Sequence, residues 1–470
     1  MKMKRRTLLK SLALSGAVAM ARPDLFAGAE KYDKYGGWPE LKFKRTGFFG
    51  LTQQNDRWWC ISPEGNAFLI NQMDHVGAFR LTADFNKAFW AKKFGISADA
   101  PMSDFMPGFY QKVKDDQQVM GFNAMHNTAT PDPKDSFIPY IRRFSTIKNS
   151  YWEKQIKSSD FKDVFSDQFA KEVDNAAKFQ VARRKDDPYL IGWHFTDSPI
   201  LSDFEAMPFG IGYYHKKLPG TVTWPQRLRN LGAEAPGKHA YVDLMKRRYG
   251  DIAAFNDTYC SAFKTFDDLI RARDWKPLND YLGNYREEAD NKAFQLEILD
   301  KAYTVQVETV KKYDPNHLIF GDRLNCNAPL DDDIIKLFGK HFDVLSFQFY
   351  GTWEDFSPLM ERLYKQSGKP LHGADSSFAV ANENMPNPLG IVCANQKIRA
   401  EQYKECHYNS YALPYFIGWG WCGWVDAWPS SEPGMQHSGI QDAFGNFDQP
   451  IVGEMKKFSE VMYDVHMNRL

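Results

Sequence analysis

The chain has 470 residues, of which 59 are basic and 59 are acidic, so its formal net charge is zero. This balance gives no indication of nucleic acid or an anionic membrane as the main partner, since such partners select an excess of lysine and arginine. The length exceeds the usual domain of about 50–250 residues, and it is sufficient for a substantial core.

Residues 1–29 predict an export signal. Arg5 and Arg6 lie in a basic segment, the apolar run 12–20 follows, and small residues precede Glu30. The run is too short to span a bilayer. Paired arginines indicate a twin-arginine-type route to the periplasm or the extracellular space, with cleavage after residue 29 or, alternatively, near residue 21. The competing interpretation is a disordered basic tail.

The first strands of the mature chain follow a predicted β-hairpin at residues 57–70, whose turn contains Pro63 and Gly65. The second arm of the hairpin leads to a strand that ends near Asp74 and His75. Further strands are predicted at 121–127, weakly at 137–140, and at 189–195. Helical spacing is found at 109–120 and 168–184.

Residues 201–286 form a long insertion that is rich in aromatic residues, glycine and proline, with helices predicted at 240–249 and 252–259. A helix at 287–313 then ends before Pro315, because proline cannot continue it. The remaining strands are predicted at 317–323, 342–350, 370–375 and 414–424. They are separated by helices at 332–338, 356–366 and 395–410.

Eight alternating strand and helix units predict an α/β fold, the (β/α)8 TIM barrel, with a short N-terminal β-hairpin and a long insertion after the fourth strand. We expect residues 30–470 to form one domain. No glycine-rich phosphate loop follows any strand, so no cofactor is predicted. Six scattered cysteines form no C-x-x-C pair, and we expect mostly free, buried thiols, with one disulfide left open as an alternative.

Several motifs in their order along the chain resemble the family-50 glycoside hydrolases, the exo-acting β-agarases, and more loosely the β-galactosidase-like barrels. These motifs are Arg57-Trp58-Trp59 with Pro63-Glu64-Gly65, Met120-Gly121-Phe122-Asn123, Asp187-Pro188-Tyr189-Leu190-Ile191-Gly192, Arg248-Tyr249-Gly250-Asp251-Ile252, Asp314-Pro315-Asn316-His317-Leu318, the run 343–350, Gly368-Lys369-Pro370 and Gly423-Trp424-Val425-Asp426. The resemblance implies a carbohydrate-active barrel enzyme whose substrate is a poly- or oligosaccharide from marine algae.

In that family the fourth strand ends in Asp-Asn-Glu, whose Glu is the general acid/base, and the seventh strand ends in a nucleophilic Glu. This chain has Asp197-Ser198-Pro199 and Asp375 at the matching positions. Pro199 cannot transfer a proton, and Asp375 ends about 1.5 Å short of the reach of Glu, one carbon–carbon bond. Both catalytic glutamate positions are therefore altered, and ordinary retaining hydrolysis is not expected.

Four interpretations follow. In the first, Asp375 activates water for inverting hydrolysis, with Asp197, Asp203 or Glu205 as the acid. In the second, a lyase or dehydratase acts on uronic-acid sugars by β-elimination, with His126, His194, Tyr350 and Arg323 supplying the base and the carboxylate contact. The third is a glycan-binding barrel without catalysis, and the fourth is an unrelated barrel enzyme.

The predicted site collects side chains at the carboxyl ends of the strands, where this fold places its chemistry. The predicted catalytic residues are Asp375, Asp197, His194, Tyr350 and His126. The predicted substrate contacts are His75, Asn127, Arg323, Gln348, Trp421, Trp424 and Asp426. No H-x-x-x-H spacing connects His75, His126, His194 and His437, so no metal is predicted.

Overall fold

The computed structural model describes residues 31–127, 137–150, 158–201, 223–273, 275, 285–426 and 438–470. The predicted export signal at 1–29, the possible acids Asp203 and Glu205, and His437 lie outside these residues. None of the helices within these ranges is long and apolar enough to cross a membrane.

Eight parallel strands close into a barrel, as predicted. In order around the barrel they are β5 (Ile70–Met73), β6 (Ala124–Asn127), β7 (Tyr140–Arg143), β8 (Leu190–Asp197), β9 (Leu318–Asn325), β10 (Leu345–Gln348), β11 (Leu371–Ser376) and β14 (Phe416–Trp421), which pairs back with β5. Sequence order is kept around the barrel, and each strand pairs in parallel with the next barrel strand along the chain.

Two smaller sheets flank the barrel. The predicted hairpin is present as β3 (Arg57–Ile61) and β4 (Asn66–Phe68), which pair antiparallel. It is half of a larger sheet than predicted, since β1 (Trp38–Lys42) and β2 (Gly50–Gln54) extend it to four strands in the order β1-β4-β3-β2. The short strands β12 (Phe378–Ala379) and β13 (Ile391–Val392) pair just beyond β11.

The helices of the described ranges surround the barrel. They are α1 (Lys87–Lys93), α2 (Met102–Met120), α3 (Asp167–Gln180), α4 (Trp224–Arg229), α5 (Pro236–Tyr249), α6 (Ile252–Tyr259), α7 (Phe266–Arg271), α8 (Tyr285–Tyr313), α9 (Asp332–His341), α10 (Trp353–Ser367), α11 (Gln396–Ala412) and α12 (Ile451–His466). Helix α8 ends at Tyr313, as Pro315 predicted. Asp314 then accepts hydrogen bonds from the Trp193 indole at 2.8 Å and from His317 Nδ1 at 2.7 Å.

The third strand begins later than predicted. It was expected at 137–140 and is found at Tyr140–Arg143. Pro139 has no amide hydrogen to donate to the ladder, so the strand starts after it. The Pro139 carbonyl still accepts a hydrogen bond from the Met125 amide at 2.9 Å.

All six cysteines are free, and five of them are buried, as expected; Cys260 is exposed.

Candidate active site

One-residue bulges in two barrel strands turn the candidate carboxylates toward the barrel axis. Between β8 and β9, His194 is paired with Gly321 and Asp197 with Arg323, so β8 uses three residues where its partner uses two. Between β10 and β11, Phe347 is paired with Gly373 and the next residue, Gln348, with Asp375, so β11 contains one extra residue before Asp375. Strict alternation would point His194 and Asp197 to opposite faces, whereas the bulge directs both inward.

Arg323 lies at the centre of the site and is 2% exposed. Its Nη2 lies 3.4 Å from Asp74 Oδ2, and its Nη1 lies 3.6 Å from Asp375 Oδ2. Burial alone would lower the pKa of Arg323, but the charges of Asp74, Asp197 and Asp375 raise it. One guanidinium therefore contacts two carboxyl groups directly, and it also interacts electrostatically with Asp197.

Asp74 belongs to the fully buried part of this cluster. Burial holds its pKa well above the usual range, and the nearby Arg323 offsets part of this increase. Its Oδ1 accepts a hydrogen bond from Gln72 Nε2 at 2.5 Å. Asp74 thus contacts Gln72 through one carboxyl oxygen and Arg323 through the other.

Asp197 is the last residue of β8, at the mouth end of the barrel; the residue is partly exposed, but its carboxyl Oδ1 is buried. Desolvation nevertheless raises the pKa of its carboxyl group; Arg323 lowers it and the charge of Asp375 raises it further. Its Oδ1 has no hydrogen-bond partner among the described residues. A carboxyl group with a raised pKa that reaches the mouth has the properties of a general acid.

Asp375 is 3% exposed and has several polar neighbours. Its Oδ2 lies 3.5 Å from His75 Nε2, in addition to the contact with Arg323. The Cys422 thiol interacts with both Asp375 and Tyr350. Burial and then the charge of Asp375 hold the pKa of the Cys422 thiol well above its usual value.

Three histidines lie deeper in the barrel. The rings of His126 and His194 are 4.4 Å apart, and His372 packs against Phe320 at 5.3 Å. Burial holds the pKa values of His126 and His194 well below the usual range and lowers that of His372 to about 3, each with a further contribution from Arg323. These imidazoles are therefore neutral at physiological pH.

Two further residues that were predicted to contact substrate, Gln348 and Asn127, lie at the ends of β10 and β6. Gln348 is fully buried, and neither of its amide atoms has a hydrogen-bond partner among the described residues. Asn127 is the last residue of β6, but its side chain lies outside the described part of the chain.

Trp421, a predicted substrate contact, faces away from the barrel interior, as does Trp419 on the same strand. The Trp421 ring packs 5.5 Å from Tyr403 on α11, and Trp419 packs 5.1 Å from Phe356 on α10. The intervening Gly420 faces inward, where a side chain would collide with Gln72 Nε2 at 2.8 Å. Side chains alternate along a strand, so the indoles on either side of Gly420 point outward. The interior beside Gly420 has no room for a side chain.

Trp424 and Asp426 are likewise placed outside the cluster, contrary to prediction. The Trp424 indole donates to Asp116 on α2 at 2.7 Å and packs against Phe109. Asp426 accepts a hydrogen bond from the Gly439 amide at 2.6 Å. Both residues connect the end of β14 to surrounding segments, so their roles here are structural.

We expect Asp426→Asn to leave activity unchanged while reducing the pH dependence of stability. Burial, and then the charge of Asp448, raise the pKa of Asp426 to about 7 from its usual 3.8. The folded chain thus binds a proton that the unfolded chain releases, and stability falls as pH rises from about 4 to 7. Urea unfolding at pH 5 and pH 7.5 should show a smaller difference for the variant; an unchanged difference would contradict this assignment.

Asp74, His372 and Cys422 also belong to the cluster but were not among the predicted site residues. Asp74 was visible as a polar residue at the end of the first strand. Gly418, Gly420 and Cys422 are two residues apart, so they lie on the same face of the strand. This spacing is the sequence signal that could have placed Cys422 in the barrel interior.

Pro199 is the residue that the resemblance to the family-50 hydrolases matches to an acid/base glutamate. It follows Ser198, whose φ of 47° lies in the left-handed region, and it forms an isolated antiparallel bridge with Ser150. The segment is therefore attached to the neighbouring loop, and its buried proline ring offers no group that can transfer a proton.

The chain is similar in sequence and in structure to known proteins. No protein-family model matches the chain. In sequence it is 22% identical over 516 residues to β-agarase B of Vibrio sp. (strain JT0107), a match that covers 91% of this chain and 50% of that protein. The chain therefore spans about half the length of this curated relative.

Solved structures give the same relationship. An exo-β-agarase superposes with a TM-score of 0.73 and 18% identity, covering 99% of this chain and 72% of the other. The agarase AgWH50C superposes with a TM-score of 0.74 and 18% identity, covering 99% and 71%. The chain thus has the (β/α)8 barrel fold of these agarases, and its resemblance to the family-50 glycoside hydrolases is confirmed.

Proposed function

We propose that this protein hydrolyses a glycosidic bond of an agar-like poly- or oligosaccharide by inversion. In this proposal Asp375 activates the attacking water and Asp197 protonates the leaving oxygen. The observation that supports it is the position of two carboxyl groups near the carboxyl ends of β8 and β11. Asp375 lies among polar partners, and its charge helps to raise the pKa of Asp197.

Inversion is favoured over retention by the length of the side chains. Retaining enzymes need two carboxyl groups about 5–5.5 Å apart so that one attacks the sugar, whereas inverting enzymes leave about 6.5–9.5 Å for a water molecule. The aspartate at position 375 is shorter than the family glutamate, and Pro199 supplies no acid. Both changes favour a site that accommodates water.

Elimination is the second candidate, supported by the neutral His126 and His194 pair, which could accept a proton. It also requires a cation to neutralise the carboxylate of the sugar. Arg323 already contacts Asp74 and Asp375, so it is poorly suited to a third carboxylate. This charge balance favours hydrolysis of a neutral sugar.

The choice of substrate class rests on the relatives, which are named as agarases. The marine algal origin of the glycan belongs to the same proposal. Incubation with agar oligosaccharides and with uronic-acid oligosaccharides tests it, with the anomeric configuration of the first product followed by NMR. Inversion on an agar oligosaccharide is expected; a product that retains the configuration of the substrate would contradict the mechanism.

We expect Pro199→Glu alone not to restore retaining hydrolysis, because Asp375 would still fall short of the anomeric carbon. Misplacement on the scale of 1 Å can cost about a hundredfold in rate. The product configuration should change only when Pro199→Glu is combined with Asp375→Glu. Retention by the single variant would show that the reach of Asp375 is sufficient.

We also propose that the chain is exported and that its mature form begins near Glu30. The support is the paired arginines followed by a short apolar run. Mass spectrometry of the protein recovered from cells tests this; an intact chain with Met1 in the cytoplasm would refute it.

A further inference from the structure

Three side chains of different donor chemistry converge beside Arg323. His75 follows β5, Asp375 lies on β11, and Cys422 follows β14, and these three strands are consecutive around the barrel. One imidazole nitrogen, one carboxylate oxygen and the Cys422 sulfur all lie within 4.8 Å of one another. His75 and Asp375 were both predicted near the site, but spacing along the chain does not bring Cys422 to them, because the three residues are far apart in sequence.

The set of donors matches the preferences of zinc-class ions, which bind imidazole nitrogen, thiolate sulfur and carboxylate oxygen. With zinc distances of about 2.1 Å to nitrogen and oxygen, tetrahedral geometry places those two atoms about 3.4 Å apart. His75 Nε2 and Asp375 Oδ2 are 3.5 Å apart. These two donors therefore already stand at the separation that such an ion requires.

The charge around the group also favours a cation. Arg323 lies within 3.6 Å of both Asp74 and Asp375, so these two carboxyl groups share one guanidinium. Binding of an ion would also hold the Cys422 thiol as its thiolate, so Asp375 and Cys422 would offer a divalent ion two negatively charged ligands.

The residues around the three donors orient one of them and leave a route for an ion from solvent. Arg323 Nη1 lies 3.6 Å from Asp375 and would orient that carboxylate from outside the coordination sphere. The His75 side chain is 19% exposed, whereas Asp375 and Cys422 are buried. An ion would therefore enter from the His75 side, leaving its fourth position toward the mouth.

We propose that His75, Asp375 and Cys422 bind one zinc-class divalent ion at the barrel mouth. Binding can be measured without turnover, so this inference and the proposed hydrolysis can fail separately. With the ion in place, Asp375 contributes to water activation as a ligand of the ion, and replacing it still removes activity.

The test uses the purified full chain, stripped with a chelator and dialysed against Co²⁺ or Zn²⁺. We expect one ion per chain and, with Co²⁺, a thiolate-to-metal absorption band in the near ultraviolet. Cys422→Ser should remove the band and weaken binding at least as much as the roughly 10–100-fold cost of losing an outer-sphere partner. His75→Ala should also weaken binding but keep the band at saturating Co²⁺.

Cys393→Ser is the matched control, because Cys393 is buried like Cys422 but lies beside β12. It should keep both the stoichiometry and the band, and circular dichroism checks that each variant is folded. Absence of stoichiometric binding to the folded wild-type chain would overturn the inference, as would a band that survives Cys422→Ser. Stoichiometric binding without sugar hydrolysis would instead refute the proposed function alone.

Discussion

Replacing Asp375 with Asn is expected to lower kcat on the cleaved oligosaccharide by at least about a thousandfold, the scale seen when a catalytic group is removed. Asn keeps the shape of the side chain but loses the negative charge that activates water. Because a catalytic carboxylate acts chiefly in the transition state, sugar affinity should remain within a few-fold of the wild type. Single-turnover rates and calorimetric binding measure the two effects separately.

Asp426→Asn serves as the control, because Asp426 is a mostly buried aspartate near the end of the neighbouring strand β14 and its contacts are structural. It should retain nearly full activity. If Asp375→Asn kept full turnover while Tyr350→Phe or His194→Ala abolished it, the hydrolase assignment would fail and elimination would become the leading account.

The second large effect is expected from Arg323→Met, which should reduce the free energy of unfolding by about 3–5 kcal/mol at pH 7. The guanidinium is buried between Asp74 and Asp375, and removing it leaves these carboxylates without their cation. Urea unfolding measures the loss. The control is Arg362→Met, whose ion pair with Asp332 is exposed on the surface and should contribute less than about 1 kcal/mol.

The loss in Arg323→Met should depend on pH. Arg323 lowers the pKa values of Asp74 and Asp197 against the opposing effect of burial, so its removal raises both values further. A raised pKa in the folded state means that folding takes up protons, and stability falls as pH rises above the unfolded value near 4. The deficit should therefore be smaller at pH 5 than at pH 7. An equal deficit at both values would contradict this electrostatic origin.

The sequence was sufficient to predict the barrel because strand and helix signals are local. Turn residues and apolar runs marked the eight strands, and Pro315 fixed the end of α8. The third strand starts a few residues after its predicted position because Pro139, which has no amide hydrogen, marks its boundary. The two additional strands of the N-terminal sheet carried no comparable signal.

The site was harder to predict, because its geometry depends on how neighbouring strands are paired. The bulges before Asp197 and Asp375 exist only in relation to β9 and β10, so alternation within one strand could not reveal them. The same limit applied to Trp421, since the sequence does not say which face of β14 points inward. Asp375, Asp197, Arg323 and Tyr350 could be predicted to lie near one another because each is close to a strand end.

The most direct test of hydrolysis at this site follows two signals in one reaction of the wild-type chain with agar and uronic-acid oligosaccharides. The signals are new reducing ends and the absorbance of a carbon–carbon double bond conjugated to a carboxylate. The account predicts reducing ends from an agar oligosaccharide without that absorbance, and their loss in Asp375→Asn. Reducing ends that appear together with the absorbance would contradict it.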